Sequence, residues 1–192
     1  GVQHVQDSVL THINRGCKHA DSVRAVRLLK NAGYKIDIHL MPNLPGSTPE
    51  MDEAMFEQML VDELMQCDQW KVYPCQTVDY SLIKTWYEKG TYKPYSLERL
   101  MEVIIAMKSA IHPWIRLNRI FRALPVEHIT SGITMSNFRQ HMFSRMEDRG
   151  AKCKCIRCRE VGTHIRREEM AEKQRVCKKK AGCTKVTETL RE

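Results

Sequence analysis

The chain has 192 residues, of which 42% are hydrophobic and 28% are charged, so the composition predicts a folded globular protein and excludes wholesale disorder. No apolar run approaches the ~20 residues that a membrane-spanning helix needs, so no membrane partner is expected. The formal net charge is +8, which suits a polyanionic partner.

The first half of the chain predicts strands that alternate with helices. Ile36, Ile38 and Leu40 alternate with polar residues as in a strand, and three prolines between residues 41 and 49 end it by removing backbone donors. The predicted elements are the end of a strand at residues 1–3, a helix at 21–31, a strand at 36–40, a helix at 50–67 and a strand at 70–73. This order favours a mostly parallel sheet with right-handed crossovers.

The second half predicts three more helices and one more strand. Ser96 can cap the second of these helices, and Pro113 ends it. The predicted elements are helices at residues 79–89 and 96–111, a strand at 114–122, a turn at Ser131-Gly132 and a helix at 136–149 that Gly150 ends. After about residue 166 the periodicity weakens, which is typical of a tail.

The positive charge is unevenly distributed along the chain. Residues 1–111 carry 12 basic and 14 acidic side chains, whereas residues 112–167 carry 12 basic and 4 acidic ones. A basic segment on a near-neutral body indicates contact with a polyanion, because neutralising phosphates releases counterions. The alternative is a solvated charged face without a partner.

Three of the eight cysteines lie together, as Cys153-x-Cys155-x-x-Cys158. They are too close for an ordinary disulfide framework, so a reduced cytoplasmic compartment and metal ligation are expected. Thiolates at this spacing can surround one zinc ion, and flanking basic residues at Lys152, Lys154, Arg157 and Arg159 favour the thiolate form. The alternative is three free thiols in a basic loop.

Tetrahedral zinc requires a fourth ligand beyond these three cysteines. The candidates within the chain are His164, Cys177 and Cys183. A residue from a downstream domain is the other possibility. The spacing does not choose between them.

Several blocks of sequence, taken in order, resemble the Elongator catalytic-subunit family of radical-SAM and acetyltransferase proteins, and its bacterial and archaeal members above all. The resemblance covers roughly residues 1–165. The blocks are Gly1–Gln3, Asn14–Gly16, Ala32–Lys35, His39–Gly46, Lys71–Pro74, Trp86–Tyr95, Arg116–Pro125, Thr130–Gly132, Asn137–Arg139 and Arg159–Gly162. Each block alone is weak, and their number and order make the resemblance specific.

This resemblance implies an α/β fold. Residues 1–150 would form the C-terminal part of a partial (β/α)6 radical-SAM barrel with its helical extension. Residues 151–165 would form a small Cys-rich, zinc-binding linker, and residues 166–192 a tail. The implied activity is the synthesis of 5-carboxymethyl groups on the wobble uridine of tRNA, with a [4Fe-4S] cluster, S-adenosylmethionine and acetyl-CoA as cofactors.

The sequence departs from the family at both catalytic centres. The family's cluster cysteines would precede Gly1, and its acetyl-CoA loop would follow residue 165. We therefore expect no catalytic residue in this segment and no activity from it alone. Ala123 stands where the family usually has an acid. A second hypothesis is a non-catalytic, zinc-stabilised RNA-binding module or a truncated family member, and the gene sequence upstream of Gly1 would distinguish the two.

The family's substrate suggests which residues contact tRNA. The candidates for phosphate contact are Arg116, Arg119, Arg122, Lys152 and Lys154. The arginines recur every third residue, so they do not all share one face of a strand, and pairing with carboxylates is the alternative. Other Elongator subunits or a second copy are further implied partners.

Other residues of the matching blocks are expected to be structural. Trp86, Tyr87, Tyr92 and Tyr95 could stack on bases, but they are expected to fill the core or hold a loop. His39, at a strand end where ligands of parallel sheets gather, is expected to be packed.

Overall fold

The computed structural model describes residues 1–121, 125–133, 135, 137–162, 165 and 168–169. The chain divides into two compact units, Gly1–Ile156 and Arg157–Glu192. In the second unit, the described residues after α7 are helical at 161–162, 165 and 168–169. No helix within the described residues is both long enough and apolar enough to cross a bilayer.

The elements alternate as predicted in the first half of the chain. The helices are α1 Asp7–His12, α2 His19–Asn31, α3 Pro49–Val61, α4 Leu82–Glu88, α5 Leu97–Ala110, α6 Phe138–Asp148 and α7 Ile156–Arg159. The strands are β1 Asp37–Leu40, β2 Gln69–Val72, β3 Thr77–Val78, β4 Arg116–Arg119 and β5 Ile129–Ser131. Short 3-10 turns lie at Glu63–Met65 and Val126–His128.

A parallel sheet in the order β1-β2-β4 forms the centre of the first unit. The predicted strand end at the start of the chain joins it, because the Gln3 N–H donates to the His39 carbonyl at 2.7 Å and the Met41 N–H donates to the Gln3 carbonyl at 2.8 Å. The α/β class and the parallel sheet are therefore confirmed. β3 and β5 form a separate antiparallel pair, and β3 was not predicted.

One face of the parallel sheet belongs to the hydrophobic core. The alternating residues of the strands are almost fully buried together with Met55, Met59, Val103 and Ile104 of α3 and α5. The strand residues concerned are Ile38, Leu40, Trp70, Val72 and Leu117. The residues between them are only partly buried and polar, so the opposite face of the sheet is polar.

A register shift changes where the predicted arginines lie. Trp70 pairs with Leu117, but the next residue of β2, Lys71, pairs with Arg119, so Asn118 is an extra residue in β4. Three-residue spacing in a regular strand would separate Arg116 from Arg119. With the bulge, Arg116 lies opposite Gln69 and Arg119 opposite Lys71, which share one face. Arg122 lies outside the described residues.

Helix boundaries differ from the predictions where side-chain caps compete with periodicity. The predicted helix at 50–67 stops at Val61, because Asp62 adopts an extended conformation and its carboxylate accepts the Leu64 N–H at 2.9 Å. The predicted cap at Ser96 is present, with the Arg99 N–H donating to its hydroxyl at 3.2 Å. The last predicted helix begins at Phe138, and Ser136 lies outside the described residues.

Candidate functional site

The three clustered cysteines are arranged as a set of metal ligands. The sulfur atoms of Cys153, Cys155 and Cys158 all lie within 4.8 Å of one another, and Cys155 and Cys158 are buried. A tetrahedral zinc ion with bonds of about 2.3 Å places its sulfur ligands about 3.8 Å apart. The segment is tied to the residue before β4, since the Ile156 N–H donates to the Ile115 carbonyl at 3.0 Å. The triplet can therefore close around a single ion after small side-chain adjustments.

Two of the other described cysteines, Cys67 and Cys75, are unsuited to metal ligation. Burial raises the pKa of the Cys67 and Cys75 thiols to about 11, so both remain protonated at neutral pH. Among the described residues, the triplet is the one group of potential metal ligands. The candidate fourth ligands His164, Cys177 and Cys183 lie outside the described residues.

The predicted RNA-contacting residues lie in two places. Lys152 and Lys154 are exposed beside the cysteines, and Arg119 is exposed at the end of β4. Arg116 is half-buried, and its Nε donates to Asn118 Oδ1 at 2.9 Å. Its own strand thus holds the Arg116 side chain in part, whereas the Arg119 side chain is exposed.

Polar contacts link the strands across the exposed face of the sheet. Asn118 donates from Nδ2 to Asp37 at 3.1 Å and also contacts Gln69. Lys71 Nζ lies 2.8 Å from the same Asp37 carboxylate. This network joins β1, β2 and β4 on the polar face of the sheet.

His39 lies on the same face, one residue before the end of β1. Its ring packs edge-on against Tyr73, with the centroids 4.4 Å apart. Burial above all, together with the positive charge of Lys71, lowers the pKa of His39 below its usual value, so the ring is neutral at physiological pH. Its Nε2 is buried without a hydrogen-bond partner among the described residues. Packing against Tyr73 agrees with the structural interpretation.

The aromatic residues of the Trp86–Tyr95 block hold a loop. Tyr92 is buried, and its hydroxyl donates to the Asn43 carbonyl at 2.8 Å. The Tyr95 N–H donates to Asn43 Oδ1 at 3.1 Å. Asn43 itself has a φ of +66°, a left-handed conformation that asparagine tolerates better than most residues. Two sequence blocks that are far apart in the chain thus fix each other.

A buried carboxylate at the centre of this loop was missed by the sequence analysis. Asp52 is fully buried and accepts hydrogen bonds from the Ser47 hydroxyl at 2.6 Å, the Asn43 N–H at 2.6 Å and the Tyr95 hydroxyl at 2.8 Å. The fourth contact is His4 Nε2 at 3.2 Å. Asp52 shares the buried side of α3 with Met55, Met59 and Phe56, and an acid in such an apolar stripe is the signal that could have revealed it.

The loop that Asp52 holds, residues 41–48, follows the carboxyl end of β1. In open parallel sheets, ligands bind outside the carboxyl ends of the strands. The Cys75 N–H, which follows β2, donates to the Pro42 carbonyl at 2.8 Å and ties the two loops together. The carboxyl edge of this sheet is therefore pre-organised by hydrogen bonds, as a binding edge requires.

The chain is similar in sequence to one known domain family and to several known proteins. The Radical_SAM C-terminal domain matches residues 67–148. The chain is 40% identical over 162 residues to a tRNA uridine(34) acetyltransferase of Methanocaldococcus jannaschii and 33% identical over 162 residues to Elongator complex protein 3 of Dictyostelium discoideum. These matches cover 84% of the chain in both cases, and 30% and 29% of the two relatives.

A solved structure agrees with these sequence relationships. The archaeal Methanocaldococcus infernus Elp3 with an N-terminal deletion superposes with a TM-score of 0.81 at 38% identity, covering 85% of this chain and 38% of that one. The greater identity to the archaeal relative than to the eukaryotic one confirms the expected closeness to archaeal-type members. The chain spans about a third of the length of the relatives that it matches.

Proposed function

The chain is a homologue of the tRNA uridine(34) acetyltransferases and of Elongator complex protein 3, and from this we propose that it serves an enzyme that modifies uridine 34 of tRNA. The TM-score of 0.81 at 38% identity to the archaeal Elp3 structure carries this proposal. The segment would supply the C-terminal part of the radical-SAM domain, which agrees with the domain match over residues 67–148. The proposed product is a 5-carboxymethyl group built from acetyl-CoA, in the cytoplasm.

We assign the cluster-binding and acetyl-CoA-binding residues to parts of the enzyme other than this segment. Among the described cysteines, Cys67 and Cys75 are buried thiols with raised pKa, and the remaining close group is the triplet with metal-ligand spacing. S-adenosylmethionine at a [4Fe-4S] cluster supplies radical chemistry when bound. The role of this segment would be to offer the polar face and carboxyl edge of its sheet to substrate.

We propose that Cys153, Cys155 and Cys158 hold one structural zinc ion. The sulfur separations within 4.8 Å and the burial of two of the three residues support this. Basic neighbours at Lys152 and Lys154 would stabilise thiolates. A closed site of this kind would brace the segment that follows α6 instead of taking part in chemistry.

Phosphate contacts by Arg116, Arg119, Lys152 and Lys154 complete the proposal. The exposure of Arg119 and of the two lysines supports it, as does the bulge that places both arginines on the polar face. Such contacts position a nucleic acid without reading its sequence. Elongator subunits or a second copy of the chain would be protein partners.

Deleting the gene tests the enzymatic proposal directly. Nucleoside mass spectrometry of total tRNA from the deletion strain should show loss of the 5-carboxymethyl family of modifications at uridine 34, and a plasmid copy should restore them. Unchanged uridine 34 in the deletion strain, together with tRNA binding by the purified protein, would contradict the enzyme and favour the RNA-binding module.

A further inference from the structure

Tyr80 combines two unusual properties. Its side chain is fully exposed, and its backbone has a φ of +62°. The other described non-glycine residues with positive φ are Gln3, Asn14 and Asn43, all of them polar amides. An aromatic residue in the left-handed region is strained, and an exposed ring gains nothing from burial that could offset the strain. Packing within the described fold therefore does not account for this tyrosine.

Hydrogen bonds on both sides hold the backbone of Tyr80 in place. The Asp79 N–H donates to the His128 carbonyl at 3.2 Å, and the Ser81 hydroxyl donates to the Val78 carbonyl at 2.5 Å. Lys84 Nζ closes the turn by donating to Asp79 Oδ1 at 2.9 Å. The turn is thus fixed on the β3–β5 pair, and the ring is presented to solvent before any ligand arrives.

Tyr80 lies in a segment that follows the carboxyl edge of the parallel sheet, where ligands are expected to bind. The segment that leads to it leaves the carboxyl end of β2 and is tied to the loop at residues 41–48 through the bond from Cys75 to Pro42. A second exposed tyrosine, Tyr34, precedes β1 and so lies toward the amino ends of the strands. The two tyrosines differ in the end of the sheet that they adjoin and in their backbone conformation.

We propose that Tyr80 is a stacking platform for an unpaired nucleobase of the RNA substrate. Single-stranded RNA is commonly recognised by aromatic side chains on which splayed bases stack, and any base can do so because each has a π-face. A ring that is already held outward loses little conformational freedom on binding. Lys84 and His128 pair with Asp79 beside the turn, and the exposed Leu82 follows it, so the surface around the ring offers both charged and apolar groups, as a nucleotide requires. This inference rests on the proposed function.

The variant Tyr80→Asn distinguishes an effect on RNA binding from an effect on folding. Asn tolerates the left-handed conformation, so Tyr80→Asn should keep the turn and leave the melting temperature equal or higher. RNA affinity of the full chain, measured by fluorescence anisotropy with a labelled tRNA transcript, should fall roughly tenfold or more, within the range expected for losing one stacked base. Tyr80→Trp should retain affinity, because the ring is kept. The salt dependence should not change, since no phosphate contact is removed.

Tyr34→Asn is the matched control and should bind RNA as the wild type does. Wild-type affinity in Tyr80→Asn, or an equal decrease in both variants, would overturn the stacking role while leaving the proposed function intact. Loss of self-association in Tyr80→Asn with unchanged RNA affinity would assign the ring to a protein contact and would also overturn it. A wild-type chain without affinity for tRNA would overturn the proposed RNA contacts and the stacking role together.

Discussion

His4 and Asp52 are both fully buried, and His4 Nε2 lies 3.2 Å from Asp52 Oδ1 although 48 residues separate them in sequence. The Gln6 N–H donates to His4 Nδ1 at 3.0 Å, so the ring proton is on Nε2 and is donated to the carboxylate. This contact joins the strand end at the start of the chain to α3. It completes the set of four donors that makes a buried carboxylate tolerable.

Replacing Asp52 should destabilise the fold markedly. Asp52→Asn offers one accepting oxygen where the carboxylate offers two, so either the donors at Oδ1, Ser47 and His4, or the donors at Oδ2, Asn43 and Tyr95, lose their acceptor. We expect a loss of about 2–4 kcal/mol in the free energy of unfolding, measured by urea titration. Glu57→Gln, on the exposed side of the same helix, should change it by less than about 0.5 kcal/mol. Equal urea midpoints of unfolding for Asp52→Asn and Glu57→Gln would show that the hydrogen bonds to Asp52 contribute little to stability.

The stability of the first unit should fall in acid partly through Asp68. Burial raises the pKa of this carboxyl, but Lys30, the Ile36 N–H and Lys35 outweigh it and lower the pKa to about 2, from an ordinary value of 3.8. Because the folded pKa is depressed, this stabilisation is present above the unfolded value and is lost as pH falls from about 5 to 2.

Unfolding measured across that pH range is the test. Asp68→Asn should flatten the acid dependence of stability, whereas Asp148→Asn, an exposed acid on α6, should follow the wild type. If the stability of Asp68→Asn fell as steeply in acid as that of the wild type, the contacts of Asp68 with Lys30 and Lys35 would not contribute to the acid dependence.

The cysteine triplet should hold about one zinc ion per chain. Mass-spectrometric metal analysis of the purified protein should detect it, and replacing Cys153, Cys155 and Cys158 by Ser should remove it. Cys17→Ser, outside the triplet, should keep the metal. Single replacements of the candidate fourth ligands should show which one lowers zinc affinity. Undiminished zinc in the triple variant would refute this site.

The arginine strand should contribute to tRNA affinity mainly through charge. Replacing Arg116, Arg119 and Arg122 by Ala should weaken binding and reduce the slope of log affinity against log salt by roughly 0.7–0.9 for each phosphate that is no longer neutralised. The effect should be similar for different tRNA sequences. Because Arg116 also bonds to Asn118, Arg119→Ala alone provides the cleaner measurement.

A double replacement of Arg24 and Arg27 by Ala is the control for charge alone, since both lie on α2 in the near-neutral half of the chain. It should leave the salt slope nearly unchanged. If both sets of variants lower the slope equally, binding depends on net charge and not on the strand. An unchanged slope in the folded triple variant would make these arginines structural.

The α/β class and most elements could be predicted from local sequence, because their causes are local. The alternation of Ile36, Ile38 and Leu40 predicts β1, and the capping hydroxyl of Ser96 predicts where α5 starts. Helix ends were less predictable, since the carboxylate of Asp62 stops α3 by a contact that apolar periodicity does not register. The close spacing of the cysteine triplet likewise predicted a metal-ligand arrangement, because residues so near in sequence cannot separate far.

Three features were decided only by the tertiary structure, because each depends on residues that the sequence places far apart. The partners of Asp52 come from separate segments, and none is evident from its neighbours in the chain. The bulge at Asn118 depends on the register with β2, and it brings Arg116 and Arg119 to the same face. The exposed, left-handed Tyr80 depends on the pairing of β3 with β5. Periodicity reports on one element at a time, whereas these features arise from the way several elements meet.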